Sequence, residues 1–368
     1  LFLKEYSVFV KTLTGVMFML GFSYYLNDPI DTKAQMYFQQ MADHGFEEVF
    51  TSLHIPEDDP QVKTKRMQQL MQLAENDGLS VVVDVDKDSL KYLPHNLTAK
   101  LTLRLDDGFS PEDIRDISQE MPIALNASTI NKDLYSQLHE YQVDFSRIEA
   151  WHNFYPRPET GLGIDWFAKR NRWLKSLGFK TQAFIPGDQH LRGPLKLGLP
   201  TLESQRNKNP LANTIQLLEL GTDKVFIGDP GLSTSMQHKF KQYFVQHCLV
   251  LDYQAFDETV LSELPDILHN RLDPALDVIR IVEGRQRRVP NIPAQNNVER
   301  SIGAITVDNE LYGRYMGELQ IVKTNLPGDE KVNVIGSITK TDQSLLQYVG
   351  AGQKIFLNKL SGGNDGSI

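Results

Sequence analysis

A chain of 368 residues with 40% hydrophobic and 23% charged side chains has a globular composition, and it contains no run near the roughly 20 apolar residues a membrane span needs. A net charge of −9 with scattered basic residues leaves no face for tracking nucleic-acid phosphates, although a local basic pocket for a small anion stays open. The single cysteine, Cys248, cannot close an internal disulfide, which fits a reducing, cytoplasmic compartment.

Residues 1–16 read as an upstream or disordered extension: Lys4, Glu5 and Lys11 interrupt the apolar stretch, and no small-residue cleavage site follows. From residue 18 short apolar runs alternate with helical patterns, the mark of repeated β-α units. The strand cores are expected at Phe18–Tyr24, Glu48–Leu53, Leu79–Asp84, Lys100–Asp106, Pro122–Asn126, Phe145–Ala150, Lys180–Ile185 and Asp223–Gly228. Eight such units predict an α/β fold, a closed (β/α)8 barrel over residues 17–255. Beyond Asp277 the pattern changes to short strands with turn signals, at Val278–Val282, Ile302–Val307, Gly317–Val322, Lys331–Ile338 and Lys354–Leu357. These predict a small β-rich domain over 256–360, followed by a Gly-rich disordered tail at 361–368.

Alternate residues of a strand face opposite ways. On the fourth strand Leu101, Leu103 and Leu105 are expected to face the helices, with Thr102, Arg104 and Asp106 pointing into the barrel. The same parity brings Ser52 and His54, Asp84 and Asp86, Asn126 and Ser128, and Glu149, Trp151 and Asn153 inward or to the mouth. Burying unpaired charge costs several kcal/mol, so this set must pair internally, with water or with a ligand. After the sixth strand comes WHNFYPRPETGLG at 151–163, where Pro156 and Pro158 hold an extended backbone. Its His152, Asn153, Tyr155 and Arg157 are candidate ligand contacts at a strand's carboxyl end, the functional end of such barrels. The alternative is an aromatic plug made by Trp151, Phe154 and Tyr155.

No GxGxxG or GxxxxGK follows a strand, no GxSxG elbow occurs, and the nine histidines form neither HxH nor HExxH. Neither a nucleotide cofactor nor a catalytic zinc is expected, and a magnesium on Asp84 or Asp86 with a substrate phosphate stays open. What remains is carboxylate chemistry. Glu57, Asp84, Asp86, Asp106, Asp107, Glu149 and Asp188 stand at or just after expected strand ends, and two carboxyl groups in different environments are what glycosidic cleavage requires. The loops Gly187–Pro194 and Gly228–Gly231 follow strands seven and eight, where this fold often holds phosphate, with Arg192 as the cation.

Six blocks in one order carry a resemblance: LRLDDGF at 103–109, ALNAST at 124–129, HNFYPRPETGL at 152–162, AFIPG at 183–187, RGPLKLGLPTLESQR at 192–206 and GAITVDNELYGRYMGELQIVK at 303–323. Over nearly all of the chain from Met17 to about Leu360 it resembles the bacterial 6-phospho-N-acetylmuramidase family. The resemblance implies a TIM barrel followed by a cyclophilin-like β domain. It also implies a cytosolic, cofactor-free hydrolase of the 6-phosphorylated N-acetylmuramyl-N-acetylglucosamine disaccharide, working in peptidoglycan recycling. Carried over by block, it places Asp84, Asp106, His152, Asn153, Tyr155, Arg157, Arg192 and Gly193 at the site, and Arg104, Asn126 and Phe184 are expected to join them as substrate contacts.

The expected catalytic pair is Asp106, held ionised by Arg104 as base or nucleophile, and Asp84 as proton donor among valines, with Glu57 and Glu149 in reserve. In the second domain Arg314 and Tyr315 are expected to help bind a disaccharide end; a surface turn or a homodimer contact is the alternative. Two rival functions remain: a non-catalytic phosphosugar sensor, and a phosphosugar lyase or isomerase. The second needs a lysine inside a strand, whereas Lys100 and Lys180 stand at strand starts.

Overall fold

Eight short strands run parallel in the first part of the chain: β1 (Met19–Ser23), β2 (Glu48–Ser52), β3 (Ser80–Val85), β4 (Leu101–Leu105), β5 (Ile123–Asn126), β6 (Ile148–Trp151), β7 (Lys180–Ile185) and β8 (Lys224–Ile227). Each pairs with the next and β1 returns to pair with β8, so the sheet closes into the expected barrel. The structure is a computed structural model and describes residues 18–53, 60–93, 100–286 and 291–360. His54, Glu57, the N-terminal extension and the C-terminal tail lie outside the described residues. The chain divides into two compact units between His238 and Lys239.

The intervening helices are α1 (Thr32–Asp43), α2 (Pro60–Asn76), α3 (Pro111–Glu120), α4 (Lys132–Glu140), α5 (Ile164–Ser176), α6 (Pro210–Glu219) and α7 (Thr234–Phe244). Several start on a side-chain cap that satisfies otherwise orphaned amides. Asp31 accepts from the amides of Lys33 and Ala34, and Ser110 with Asp113 forms a reciprocal capping box. One expected strand is shorter than its apolar run. Asp144 accepts from the Ser146 amide and turns Phe145–Arg147 into a single 3₁₀ turn, so β6 begins at Ile148.

Inward positions fill the barrel as the period of two requires. Tyr25, Phe50, Val82, Ala124, Trp151, Phe184, Leu199 and Phe226 form one buried cluster with Phe154 packed against it. Phe184 lies 5.2 Å from Phe50 and 5.1 Å from Phe154, both edge-to-face, a geometry that adds to the area each ring buries.

The second unit is a seven-stranded mixed sheet of β9 (Cys248–Ala255), β10 (Ile267–His269), β11 (Val278–Ile281), β12 (Ala304–Asp308), β13 (Leu319–Val322), β14 (Val332–Ile338) and β15 (Lys354–Lys359), in the order β10-β15-β9-β14-β12-β13-β11. The sequence reading leaves residues 248–255 with the barrel; the structure corrects this. β9 pairs in parallel with β15 and antiparallel with β14, so it is a central strand of the second sheet.

Candidate active site

At the carboxyl ends of β3, β4 and β6 three side chains meet on one guanidinium. Arg104, only 5% exposed, donates from Nη1 to Asp84 and from Nη2 to Asn153, and its Nη1 also stands 3.4 Å from Asp106 Oδ1. Ser52 Oγ donates to the second oxygen of Asp84 at 3.1 Å. Strand parity explains the gathering. Asp84 and Arg104 are register partners on adjacent strands, and Ser52 is the partner of Asp84 on the other side. Asn153 follows the end of β6 by two residues, on the same inward parity as Trp151.

The two acids sit in unlike settings. Asp84 accepts from Arg104 and from a hydroxyl, with its side chain 12% exposed, while the side chain of Asp106 is 26% exposed. A carboxylate that accepts from two donors is fixed as an acceptor. The more open one is better placed to exchange a proton with a ligand.

Glu149 belongs elsewhere. It points inward as parity predicts, but it stands at the amino end of the barrel, where Lys224 Nζ lies 2.8 Å from both Glu149 and Glu48. Trp151 Nε1 donates to the other Glu149 oxygen at 2.8 Å. Burial alone would lower the Lys224 pKa, yet Glu149 and Glu48 raise it overall, as a buried ammonium between two carboxylates should behave. This closed cluster faces away from the mouth, so Glu149 is corrected from reserve acid to structural partner.

His152 is corrected as well. It is 0% exposed, faces outward against α5, and lies 2.8 Å through Nε2 from Asn171 Oδ1. Because Asn171 Nδ2 donates to Thr222, its oxygen is the acceptor and His152 carries the proton on Nε2. Burial pushes the His152 pKa down to about 4, so it is a neutral packing residue. Phe184 is 1% exposed and works as wall, not as a polar contact.

The rest of the 151–163 loop is pinned from behind. Arg206 donates to the carbonyls of Tyr155 at 2.9 Å and of Leu197 and Gly198 at 3.1 Å. Glu203 holds Arg206 at 2.7 Å and accepts from the Gly161 amide at 2.8 Å. The Arg206 guanidinium therefore ties the loop after β6 to the loop after β7. The spacing ESQR signals this i,i+3 pair in the sequence, but nothing local shows which carbonyls it reaches. Burial raises the pKa of the Tyr155 hydroxyl, which is bonded to Ser128; Asn126 accepts from the Ser128 amide at 2.9 Å and shapes the turn beneath it. Arg157 is exposed, and its carbonyl accepts from Thr160 Oγ1 at 2.6 Å.

Arg192 lies with its guanidinium 3.6 Å from the Tyr25 ring centre and 5.8 Å from that of Phe154, a stacked cation–π position. Phe154 adjoins Asn153, so both guanidinium groups, Arg104 and Arg192, border the same dipeptide. Among the described residues no carboxylate forms an ion pair with Arg192, in contrast to Arg104. Gly193 beside it is open: an added Cβ would meet no atom within 4 Å. Two other expected acids are occupied locally, Asp86 by the Ser89 amide at 2.7 Å and Asp188 by Ser233 Oγ at 2.6 Å. In the second unit Arg314 and Tyr315 form their own stacked pair, 4.8 Å from guanidinium to ring centre, with Arg285 at 5.5 Å from the same ring. Among the described residues no group of three or more His, Cys, Asp or Glu is arranged to hold a metal ion, and no helix is long and apolar enough to cross a membrane.

Comparison with known proteins agrees with this architecture. The 6-phospho-N-acetylmuramidase N-terminal model matches residues 20–242 and the C-terminal model of the same name matches residues 250–358. A crystal structure of a conserved Enterococcus faecalis protein of unknown function is similar at 37% identity and a TM-score of 0.85, over 93% of this chain and 96% of that one. An uncharacterized B. cereus protein is similar at 27% identity and a TM-score of 0.68, over 93% of this chain and 99% of the other. No curated protein matches. The chain belongs to the 6-phospho-N-acetylmuramidase family.

Proposed function

We propose that this member of the family is a glycoside hydrolase that cleaves 6-phospho-N-acetylmuramyl-N-acetylglucosamine during cytoplasmic recycling of peptidoglycan, with the barrel mouth as its site. The observation that carries the reading is the pairing of two acids in unlike settings on one guanidinium, beside a second guanidinium with no ion-pair partner among the described residues. The first supplies acid–base chemistry; the second supplies an anion contact.

In the proposed mechanism Asp84, oriented by Arg104 and Ser52, is the nucleophile, and Asp106 is the acid. An Asp84 oxygen attacks the anomeric carbon as its bond to the leaving oxygen breaks, and the Asp106 proton passes to that oxygen. Water then attacks the glycosyl–Asp84 ester, giving its proton to Asp106, and the Asp84 carboxylate leaves. Arg104 compensates the charge that shifts between the two acids. The Arg192 guanidinium takes the 6-phosphate, and the partly exposed Phe154 ring beside it suits a sugar face. Tyr155 and Arg157 are proposed to line the approach, and Arg314 and Tyr315 to serve the same ligand class. A cyclophilin-like description of the second sheet is part of this reading.

The test is product analysis with purified protein and the phosphorylated disaccharide. Release of free N-acetylglucosamine supports hydrolysis. Saturable binding with no product returns the reading to a sensor built on an enzyme barrel.

A further inference from the structure

In this fold the loops after the seventh and eighth strands often hold a phosphate on backbone amides. Here three such amides converge on one point, but a residue of the chain already fills it. Asp229, 0% exposed, accepts from the amides of Gly187 and Leu199 through Oδ2 and from that of Arg192 through Oδ1, each at 3.0 Å. The surroundings leave little room for rearrangement. A Cβ on Gly187 would come within 2.2 Å of the Gly231 carbonyl oxygen and 3.1 Å of Asp229 Cβ. Gln189 and Gly231 are joined by a β-bridge, so the two loops are fixed on both sides of the carboxylate.

Two consequences follow. A substrate phosphate cannot use those amides, because their hydrogen bonds go to Asp229. The anion contact then falls to a side chain, and Arg192 is held in place for it: its amide is fixed by Asp229 while its guanidinium lies on Tyr25. Tyr25 is fixed in turn, its hydroxyl donating to the Gly228 carbonyl at 2.7 Å, one residue before Asp229. We infer that Asp229 is the positioning residue for phosphate recognition: by occupying the amide nest it excludes phosphate there and sets the Arg192 guanidinium as the phosphate contact. The inference rests on the phosphorylated-substrate reading above and goes beyond it in naming what sets the selectivity.

Asp229→Asn tests it, because an amide cannot accept from three N–H groups as a carboxylate does. The readout is the ratio of kcat/KM on a chromogenic 6-phospho-N-acetylmuramide to that on the unphosphorylated sugar, together with inhibition by inorganic phosphate. The expected result is a ratio lower by about ten- to a hundredfold, carried by KM more than by kcat, with weaker phosphate inhibition. A purely structural role lowers both substrates alike and leaves the ratio and the inhibition constant unchanged, which overturns the inference. If Asp229→Asn does not fold, Asp229→Glu keeps the charge but moves the loop by a methylene, and the same selective loss is expected; an unchanged ratio again overturns it. Wild-type protein that turns over neither sugar removes the parent reading and this one together, whereas a strong wild-type preference retained in both variants removes this one alone.

Discussion

Asp106 stands 3.4 Å from a guanidinium nitrogen of Arg104 that is already bonded to Asp84. One buried cation therefore serves two acids unequally, and replacing them should have unequal effects. Asp84→Asn leaves Arg104, 5% exposed, without its main partner, so a stability loss of about 3 kcal/mol or more is expected by thermal or chemical unfolding. Asp106→Asn should cost much less stability. Both should lose on the order of a hundred- to ten-thousand-fold in turnover. If either variant folds and keeps more than about a tenth of wild-type turnover, its catalytic assignment is wrong.

The shared nitrogen also bears on stereochemistry. Asp84 and Asp106 both touch it, and the double displacement proposed above needs its two acids close together. The first-formed sugar should keep the configuration of the substrate, as read by proton NMR in the first minutes of reaction. An inverted first product excludes the nucleophile role given to Asp84.

Glu149→Gln separates structure from chemistry. It removes one acid from the Lys224 cluster at the amino end of the barrel while Glu48 remains. The expected outcome is a loss of up to about 3 kcal/mol in stability, with kcat within about threefold of wild type. A hundredfold loss of kcat in a folded variant would return Glu149 to the reaction.

Asp308 gives the second unit a pH signature. Burial and the nearby Glu318 push its pKa up to about 7, above the ordinary aspartate value of an unfolded chain. Between about pH 4 and pH 7 the folded state then holds a proton that the unfolded state has released, so stability from this group falls as pH rises through that window. Asp308→Asn should flatten that slope and raise the melting temperature at pH 8 more than at pH 5. An unchanged slope contradicts the assignment.

How much of this was legible differs by kind of information. The period of two sorted the barrel strands correctly, and Ser52, Asp84, Arg104 and Asn153 meet where their shared parity directs them. Parity says nothing about level along the barrel, and so Glu149 looked like a mouth residue. For His152 the signal was present and overridden: Trp151 and Asn153 face inward, which already turns their neighbour outward toward α5. β9 was missed as a strand of the second sheet because its partners, β14 and β15, lie some 80 to 100 residues further on, as Gly336↔Ala255 and Lys354↔Cys248 show. The same holds for Asp229, whose Gly-Asp-Pro-Gly setting marks a turn but not the three amides gathered from the preceding loop.

The most direct test of the central claim is the kcat/KM of purified protein on a chromogenic 6-phospho-N-acetylmuramide against the same sugar without the phosphate. The Arg192 guanidinium, with no ion-pair partner among the described residues, should favour the phosphorylated sugar by about a hundredfold or more, as sites built for a polar group reject analogues that lack it. Equal rates on the two sugars, or no turnover of either, would contradict it.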